Sequence, residues 1–489
     1  MFLRLLSISV VIAWASSAAA EPQRPNIVWI IGENLCHDLG CYGAKHVATP
    51  NLDRLAAEGV RYTNVFATAP VCSASRSAFM VGMYQTTTDT HQARSHRDDG
   101  YQLPGGARPI TYRLRDAGYL TGNVVKIGDE VVGTGKVDLN FDVGPKLYDT
   151  AEWSRLIAQR PFFAQVNTPE VEMDIYDRQT WRKPRVEWVG EREHEPIAKP
   201  EDVTPPPYYP DHKIVREEWA RFLNSVSGID RRVGAILSAL DRDDAADDTI
   251  VVFFGDNGRL EPRGIHWCYD SGLRVPLIIR YPKNFPPPAD ARPGTVSDRM
   301  LSLLDVTATT LEMAGIAKPA GMQSQIFLGP NAESARTVVV SARDRIDESV
   351  QRIRTVRDPR YRYIRNFLPE QGFTRLNRYK EKCFLIMPLM RELKARGELH
   401  GPPLALLQDR LPPEELYDLE TDPYEIRNLA TSNDPVHQAA LGRLRDELER
   451  WMKKTGDRGS LPEPQEIVAP FEKEMHDWFG TPEWYRAGR

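Results

Sequence analysis

Asn26-Ile-Val-Trp-Ile-Ile31 leads into Gly32-Glu33-Asn34, and Ile250-Val-Val-Phe-Phe254 leads into Gly255-Asp256-Asn257-Gly258. Each is a short unbroken apolar run without alternation, the pattern of a strand covered on both faces. Each ends in a polar exit. Pro161-Phe-Phe-Ala-Gln-Val166 and Val275-Pro-Leu-Ile-Ile-Arg280 have the same texture. Between such runs, apolar residues recur at helical spacing. Leu52, Leu55, Ala56 and Val60 share one face, and a long amphipathic helix starts at Ile214 and runs through Trp219, Leu223, Ile229, Val233 and Leu240. Strands alternating with helices predict a mostly parallel sheet with helices on both sides, a three-layer α/β/α sandwich. Ligands gather beyond the carboxyl ends of strands in such sheets. Both polar exits fall there.

After about Asn331 the texture changes. Thr337–Ser341, Ile353–Val356 and Tyr361–Ile364 alternate as short strands of a smaller antiparallel sheet, and a helix follows through Leu441, Leu444, Leu448 and Trp451. The expected organisation is therefore 21–330 as a catalytic domain and 331–489 as a C-terminal α+β subdomain. Residues 181–213, with Pro205-Pro-Pro-Tyr-Tyr-Pro210, and residues 284–297 read as surface loops.

A chain of 489 residues exceeds one ordinary core, and 41% apolar with 27% charged residues suits a folded enzyme. A net charge of −5 argues against a nucleic-acid binder. Residues 1–20 carry one early cation, an apolar centre and an Ala18-Ala19-Ala20 exit, the form of a signal peptide cut before Glu21. The apolar run is short for a membrane anchor. The expected location is exported, periplasmic or secreted, with no membrane anchor after cleavage. Cys36, Cys41, Cys268 and Cys383 show no dense disulfide spacing. Cys36 and Cys41 read either as a pair or as buried thiols.

The fifth cysteine stands apart. In Ala69-Pro-Val-Cys72-Ser-Ala-Ser-Arg76-Ser-Ala-Phe-Met-Val-Gly82, small residues open an apolar helical run. Free N–H groups at a helix start favour anions, and Arg76 falls one turn after Cys72 on the same face. This stretch resembles the sulfatase signature Cys-x-Pro/Ala-x-Arg. Leu416-Tyr-Asp-Leu…Asp422-Pro…Glu425…Asn428-Leu-Ala430 looks like the C-terminal signature of the same family. The resemblance covers nearly the whole chain and is nearest the bacterial heparan N-sulfatase-like group. It implies the alkaline-phosphatase-like fold. It also implies oxidation of Cys72 to 3-oxoalanine (formylglycine) by a formylglycine-generating enzyme, and attack of the hydrated aldehyde on sulfur.

The resemblance further implies one divalent cation, usually Ca2+, held by Glu33, Asn34, Asp256 and Asn257 with the modified Cys72. Hard cations take carboxylate and carbonyl oxygens. The usual first pair is Asp-Asp, so ligand charge here falls from about −3 to −2 and weaker binding is expected. Taken singly, Asn34 and Asn257 also read as turn caps. The family's Gly-Lys element maps onto Gly135-Lys136-Val-Asp138, with Asn140 following. Lys136 is the expected sulfate-binding cation; alone it would read as a surface lysine. Glu172 falls near an expected pocket histidine, and Ile265 occupies an expected lysine position beside His266. His266 reads either as a replacement pocket residue or as a structural histidine. His91, in Thr90-His91-Gln-Ala-Arg94-Ser-His96-Arg97, reads as a further pocket residue or as part of a solvated basic loop. Arg345, in Arg343-Asp344-Arg345, reads as a sugar-binding residue or a surface ion-pair partner.

The resulting expectation is a sulfuric ester or sulfamate hydrolase acting on a sulfated carbohydrate. Cys72 is the nucleophile, Arg76 orients it, and Lys136 binds sulfate. His91 or His266 protonates the leaving group. Two alternatives stand beside it: a non-catalytic relative that binds anionic glycans, motivated by Glu172 and Ile265, and a phosphonate or phosphodiester hydrolase.

Overall fold

The computed structural model describes residues 23–96, 99–168, 197–373, 375–460 and 463–482. Residues 1–20, Glu172 and the 181–196 part of the first loop lie outside them. The N-terminal strands are β1 (Asn26–Gly32), β2 (Val60–Tyr62), β3 (Val65–Phe66), β4 (Leu120–Ile127), β5 (Glu130–Val131), β6 (Thr150–Glu152) and β7 (Phe162–Thr168). They are followed by β8 (Thr249–Gly255), β9 (Leu277–Arg280), β10 (Thr295–Ser297) and β11 (Leu301–Ser302). Among the described residues the main sheet has nine strands in the order β10-β2-β9-β8-β1-β7-β4-β5, with β6 beside β4. Its centre is parallel: β1 pairs with β7 on one side and β8 on the other, while β9 and β5 run antiparallel to their neighbours.

The apolar runs explain the centre. Every residue of β1, β7 and β8 is buried, because helices cover both faces. The helix Pro50–Glu58 packs on the 30-residue helix Lys213–Arg242, where Asp230 accepts hydrogen bonds from the backbone N–H groups of Asn51 and Leu52 (3.3 and 2.8 Å). The helices Cys72–Val81 and Asp305–Met313 pack together elsewhere on the sheet. There Trp29 donates to the Thr310 hydroxyl at 3.0 Å and meets Phe79, Phe163 and Phe254 edge to face.

A second sheet of β12 (Val339–Arg343), β13 (Ile353–Arg357), β14 (Tyr361–Asn366) and β15 (Glu414–Asp418) is wholly antiparallel. The helix Pro435–Thr455 covers it with Leu441, Leu444 and Leu448. Three of these strands and the helix follow the sequence pattern; β15 overlaps the start of the Leu416-Tyr-Asp signature. No helix of the described residues is long and apolar enough to cross a membrane. Cys36 and Cys41 are free thiols, and burial pushes them up to about 11 and about 12.

Two loop expectations are corrected. Tyr208 and Tyr209, read as part of a surface loop, are buried; the Tyr209 hydroxyl bonds the Pro262 carbonyl and Arg263 lies 4.5 Å from the Tyr208 ring centre. A tyrosine pair offers large apolar area, so this proline-rich segment packs inward. Residues 295–297 are an edge strand rather than loop.

Glu218 joins the layers. From the long helix it accepts the N–H groups of Leu385 (2.6 Å) and Ile386 (3.2 Å), at the start of the helix Ile386–Ala395. Burial outweighs these bonds and pushes its carboxyl from 4.5 up to about 7. Between those values the folded chain keeps a proton that the unfolded chain has lost. Stability from this group is therefore present below pH 4.5 and falls as pH rises toward 7. Urea unfolding of wild type and Glu218→Gln at pH 5, 6, 7 and 8 checks this. The wild type should lose on the order of 2 kcal/mol more than the variant across that range.

Candidate active site

Three adjacent parallel strands end together. Beyond β1 come Glu33 and Asn34, beyond β8 come Asp256 and Asn257, and Asn167 and Thr168 close β7. The ladder continues one step past the strands: Asp256 N donates to Gly32 O (3.1 Å) and Glu33 N to Thr168 O (3.2 Å). Asn34 takes a left-handed backbone, φ 54°, which asparagine tolerates better than most residues. Gly258 is required as glycine, since a Cβ there would sit 2.4 Å from Ser271 O.

The helix Cys72–Val81 arrives at these ends with every residue buried. Cys72 is its first residue, and its Sγ lies 3.7 Å from Asn34 Oδ1. Ser75 Oγ donates to Asp256 O at 2.5 Å. Arg76 then ties all three strands: Nε donates to Asp256 Oδ2 (2.9 Å), Nη1 to Asn167 Oδ1 (2.7 Å), and Nη2 lies 3.5 Å from Glu33 Oε1. Burial opposes the Arg76 charge, but Asp256 and Glu33 outweigh it and hold the group above its ordinary pKa. Asp256 Oδ1 accepts from the N–H groups of Asn34 and Asn257 (3.0 and 2.9 Å). Lys136 reaches in from the loop after β5, with Nζ 3.0 Å from Glu33 Oε2 and 3.8 Å from Asp138 Oδ2.

Glu33, Asn34, Asp256 and Asn257 thus form one buried group of oxygen donors. Asn257 Nδ2 donates to Asn34 Oδ1 at 2.9 Å, while Asn257 Oδ1 is buried without a hydrogen-bond donor. An all-oxygen set with an amide oxygen left over fits a hard cation. Half of the set is amide, and no group of three or more His, Cys, Asp or Glu that could hold a metal ion occurs among the described residues.

Of the other sequence candidates, His91 and Arg345 line a cavity to which none of Glu33, Asn34, Cys72, Arg76, Lys136, Asp256 and Asn257 contributes. Asn140 ties the His91 loop to the Cys72 helix: its N donates to Ser77 Oγ (2.9 Å), its Nδ2 to Thr90 O (2.9 Å), and its Oδ1 accepts from Arg94 N (2.9 Å). His91 is buried with Nδ1 3.7 Å from Asp89 Oδ1, and lines a cavity of about 740 Å3 with Arg345, Arg458 and Phe471. Arg345 is buried and spends its donors on Glu463, Ala93 O and Asp347 O, with Phe471 across its face. His266 is buried with φ 77°, and its N donates to Pro70 O at 2.7 Å, two residues before Cys72. Burial, then Lys380, Arg343 and Arg94, push its ring well below the usual histidine range.

Asn167 and Ser75 carry part of the geometry without a motif of their own, and Asn140, which follows the Gly-Lys element, carries another part. Asn167 had one usable signal: it closes an apolar run beside β1. Lys380, buried with Nζ 2.8 Å from Ile265 O, gave none, because it comes from a helix 115 residues along the chain.

A cysteine at a buried helix start, a buried arginine and an oxygen donor set meet at the ends of parallel strands. The chain belongs to the sulfatase family, whose pattern it matches over residues 25–316; residues 263–380 match the N-sulphoglucosamine sulphohydrolase C-terminal family. It is by family a sulfuric ester hydrolase of the alkaline-phosphatase-like fold. An ulvan-active sulfatase of Formosa agariphila is 32% identical, with 91% of this chain and 78% of that one covered. The human N-sulphoglucosamine sulphohydrolase is 26% identical, with 88% and 90% covered. A solved Bacteroides thetaiotaomicron chain classed as a sulfatase superposes with TM-score 0.62 at 20% identity, with 91% and 96% covered.

Removing the Arg76 charge leaves Glu33 and Asp256 facing each other in a dry site. Arg76→Met should lower the unfolding free energy by about 3–5 kcal/mol, as read by urea unfolding. An unchanged midpoint would show that the guanidinium does not hold the strand ends together.

Proposed function

We propose that this protein removes sulfate from a sulfated carbohydrate, as an O-sulfate ester or a sulfamate, with Cys72 matured to formylglycine as nucleophile. The observation that carries the reading is the Arg76 guanidinium, bound to Asp256, Asn167 and Glu33 one helical turn from Cys72. The support for a sugar substrate is the pair of relatives named for ulvan and for N-sulphoglucosamine.

Each residue then has a task. The helix start at residues 72–75 presents N–H groups to an oxyanion. Arg76 keeps Asp256 and Glu33 in place. Lys136, with 19% of its side chain exposed, offers an ammonium to a sulfate oxygen while bound to Glu33. Glu33, Asn34, Asp256 and Asn257 hold a divalent cation, which when bound supplies positive charge to the sulfate oxygens. His91, beside Asp89 and on the loop pinned by Asn140, donates the proton to the leaving oxygen or nitrogen. His266 is the poorer donor, because its surroundings keep its ring neutral. Its backbone holds Pro70 instead. Arg345 supports the wall of the His91 cavity. The same reading takes residues 1–20 as an export signal, formylglycine-generating enzyme as the maturation partner, and residues 331–489 as a subdomain that closes the site.

Protein produced with a formylglycine-generating enzyme should release sulfate from ulvan oligosaccharides or N-sulfoglucosamine. Cys72→Ala should reduce that rate at least about 1000-fold with the fold intact. Equal turnover by Cys72→Ala, or faster cleavage of matched phosphonate esters, would sink the proposal. For the cation, added Ca2+ should raise the thermal midpoint of wild type and not that of Asn257→Ala. Equal shifts in both proteins would remove the four-oxygen assignment.

A further inference from the structure

Behind the Ile265–His266 peptide lies a second charged cluster, built from three elements. Arg343 ends β12, Lys380 comes from the helix Arg378–Cys383, and His266 comes from the loop after β8. All three are buried, with 5%, 3% and 3% exposure. Among the described residues neither Arg343 nor Lys380 forms an ion pair. Arg343 donates from Nη2 to Ser349 Oγ at 3.3 Å, and its Nε is buried without a hydrogen-bond partner. Lys380 donates to Ile265 O and otherwise lies over the ring faces of Trp267 (4.4 Å) and Phe384 (5.5 Å). His266 Nδ1 is likewise buried without a partner.

These side chains line one cavity, together with Ser349, Arg375, Asn377 and Glu381. Its one acidic lining residue, Glu381, is bound to Arg391 at 2.6 Å. The cavity leaves about 10 Å3 for the centre of a water-sized occupant. That is room for one small atom or molecule and excludes a sulfate group or a sugar acid. A buried cation without a counter-charge is costly, and a buried donor without an acceptor calls for an occupant. We propose that Arg343, Lys380 and His266 form a site for one small monovalent anion of chloride size, wedged between the main sheet and the second sheet. Burial depresses the Arg343 guanidinium to about 10, and burial followed by Arg343 depresses Lys380 well below its ordinary value, outweighing Asp344 at the first and Glu261 and Asp347 at the second. The site is independent of the sulfate chemistry. Its occupant is nevertheless linked to the stretch before Cys72, because the peptide that accepts from Lys380 is the one that donates to Pro70 O, two residues before Cys72.

Thermal unfolding of the full chain in sodium chloride and in sodium gluconate of equal ionic strength tests the site. The midpoint should be higher in chloride by about 2 °C or more and should saturate with chloride concentration. Crystals soaked in bromide should show one anomalous peak between Arg343 and Lys380. Lys380→Met should lose most of the chloride-dependent rise; should that variant not fold, the wild-type bromide peak decides alone. Equal midpoints in both salts overturn the proposal. So does a cavity without halide density, or a full chloride-dependent rise in Lys380→Met.

Discussion

One buried guanidinium organises the site. Arg76 meets acceptors on three neighbouring strands, β8 through Asp256, β7 through Asn167 and β1 through Glu33. Nothing on those strands alone would hold two carboxylates together in a dry interior, since like charges repel strongly there. The arginine removes that cost, and its planar fork spans the three positions where an ammonium could not. It also fixes the helix that carries it. Cys72 therefore inherits its position from the same contact that assembles the oxygen donors.

The second-sheet region uses the same device within itself, and Arg357 and Arg362 carry it across to Asp270. Arg354 reaches Asp344 and Asp457 at 3.1 and 2.6 Å, and Arg362 reaches Glu425 at 2.6 Å as well as Asp270. Asp270 opens the short helix just past the His266 loop, so its pairs with Arg357 and Arg362 anchor the segment that leads away from the metal-ligand candidates. Burial alone would raise its carboxyl; Arg357 and Arg362 outweigh that and keep it well below the usual range. Pairs this deep are favourable only with full hydrogen bonding, which makes the interface demanding in register rather than merely sticky.

The parts legible in the sequence are those dictated by local pattern. Unbroken apolar runs mark strands covered on both sides, and β1, β7 and β8 are such strands. The polar exits after them marked Glu33, Asn34, Asp256 and Asn257 because a parallel sheet brings strand ends together. The Cys72–Arg76 spacing was visible because one helical turn is local. Contacts between distant segments left no local trace. Asn167 looks like any residue ending a strand, and Asn140, though it follows the Gly-Lys element, shows nothing of its bonds to Ser77, Thr90 and Arg94. The tyrosines at 208 and 209 look exposed among prolines until Arg263 and Pro262 are brought against them. Arg345 and His91 were readable as basic residues, but their partners Glu463 and Asp89 are set by how the helix Gln465–Phe479 and the His91 loop pack.

Ile265 shows why a missing residue is a weak argument for a missing function. The family resemblance implies a lysine there, and an isoleucine carries none of that charge. The structure returns an ammonium to that loop from elsewhere: Lys380 Nζ lies 2.8 Å from the Ile265 carbonyl. A cation on the C=O side of a peptide draws electron density toward oxygen and strengthens the N–H on the other side as a donor. That N–H belongs to His266 and binds Pro70 O at 2.7 Å. The strengthened bond holds His266 in its left-handed conformation, which a non-glycine residue keeps only when its surroundings impose it. Charge at this position therefore acts on the approach to Cys72 through the backbone, a route that comparison of side chains position by position does not register.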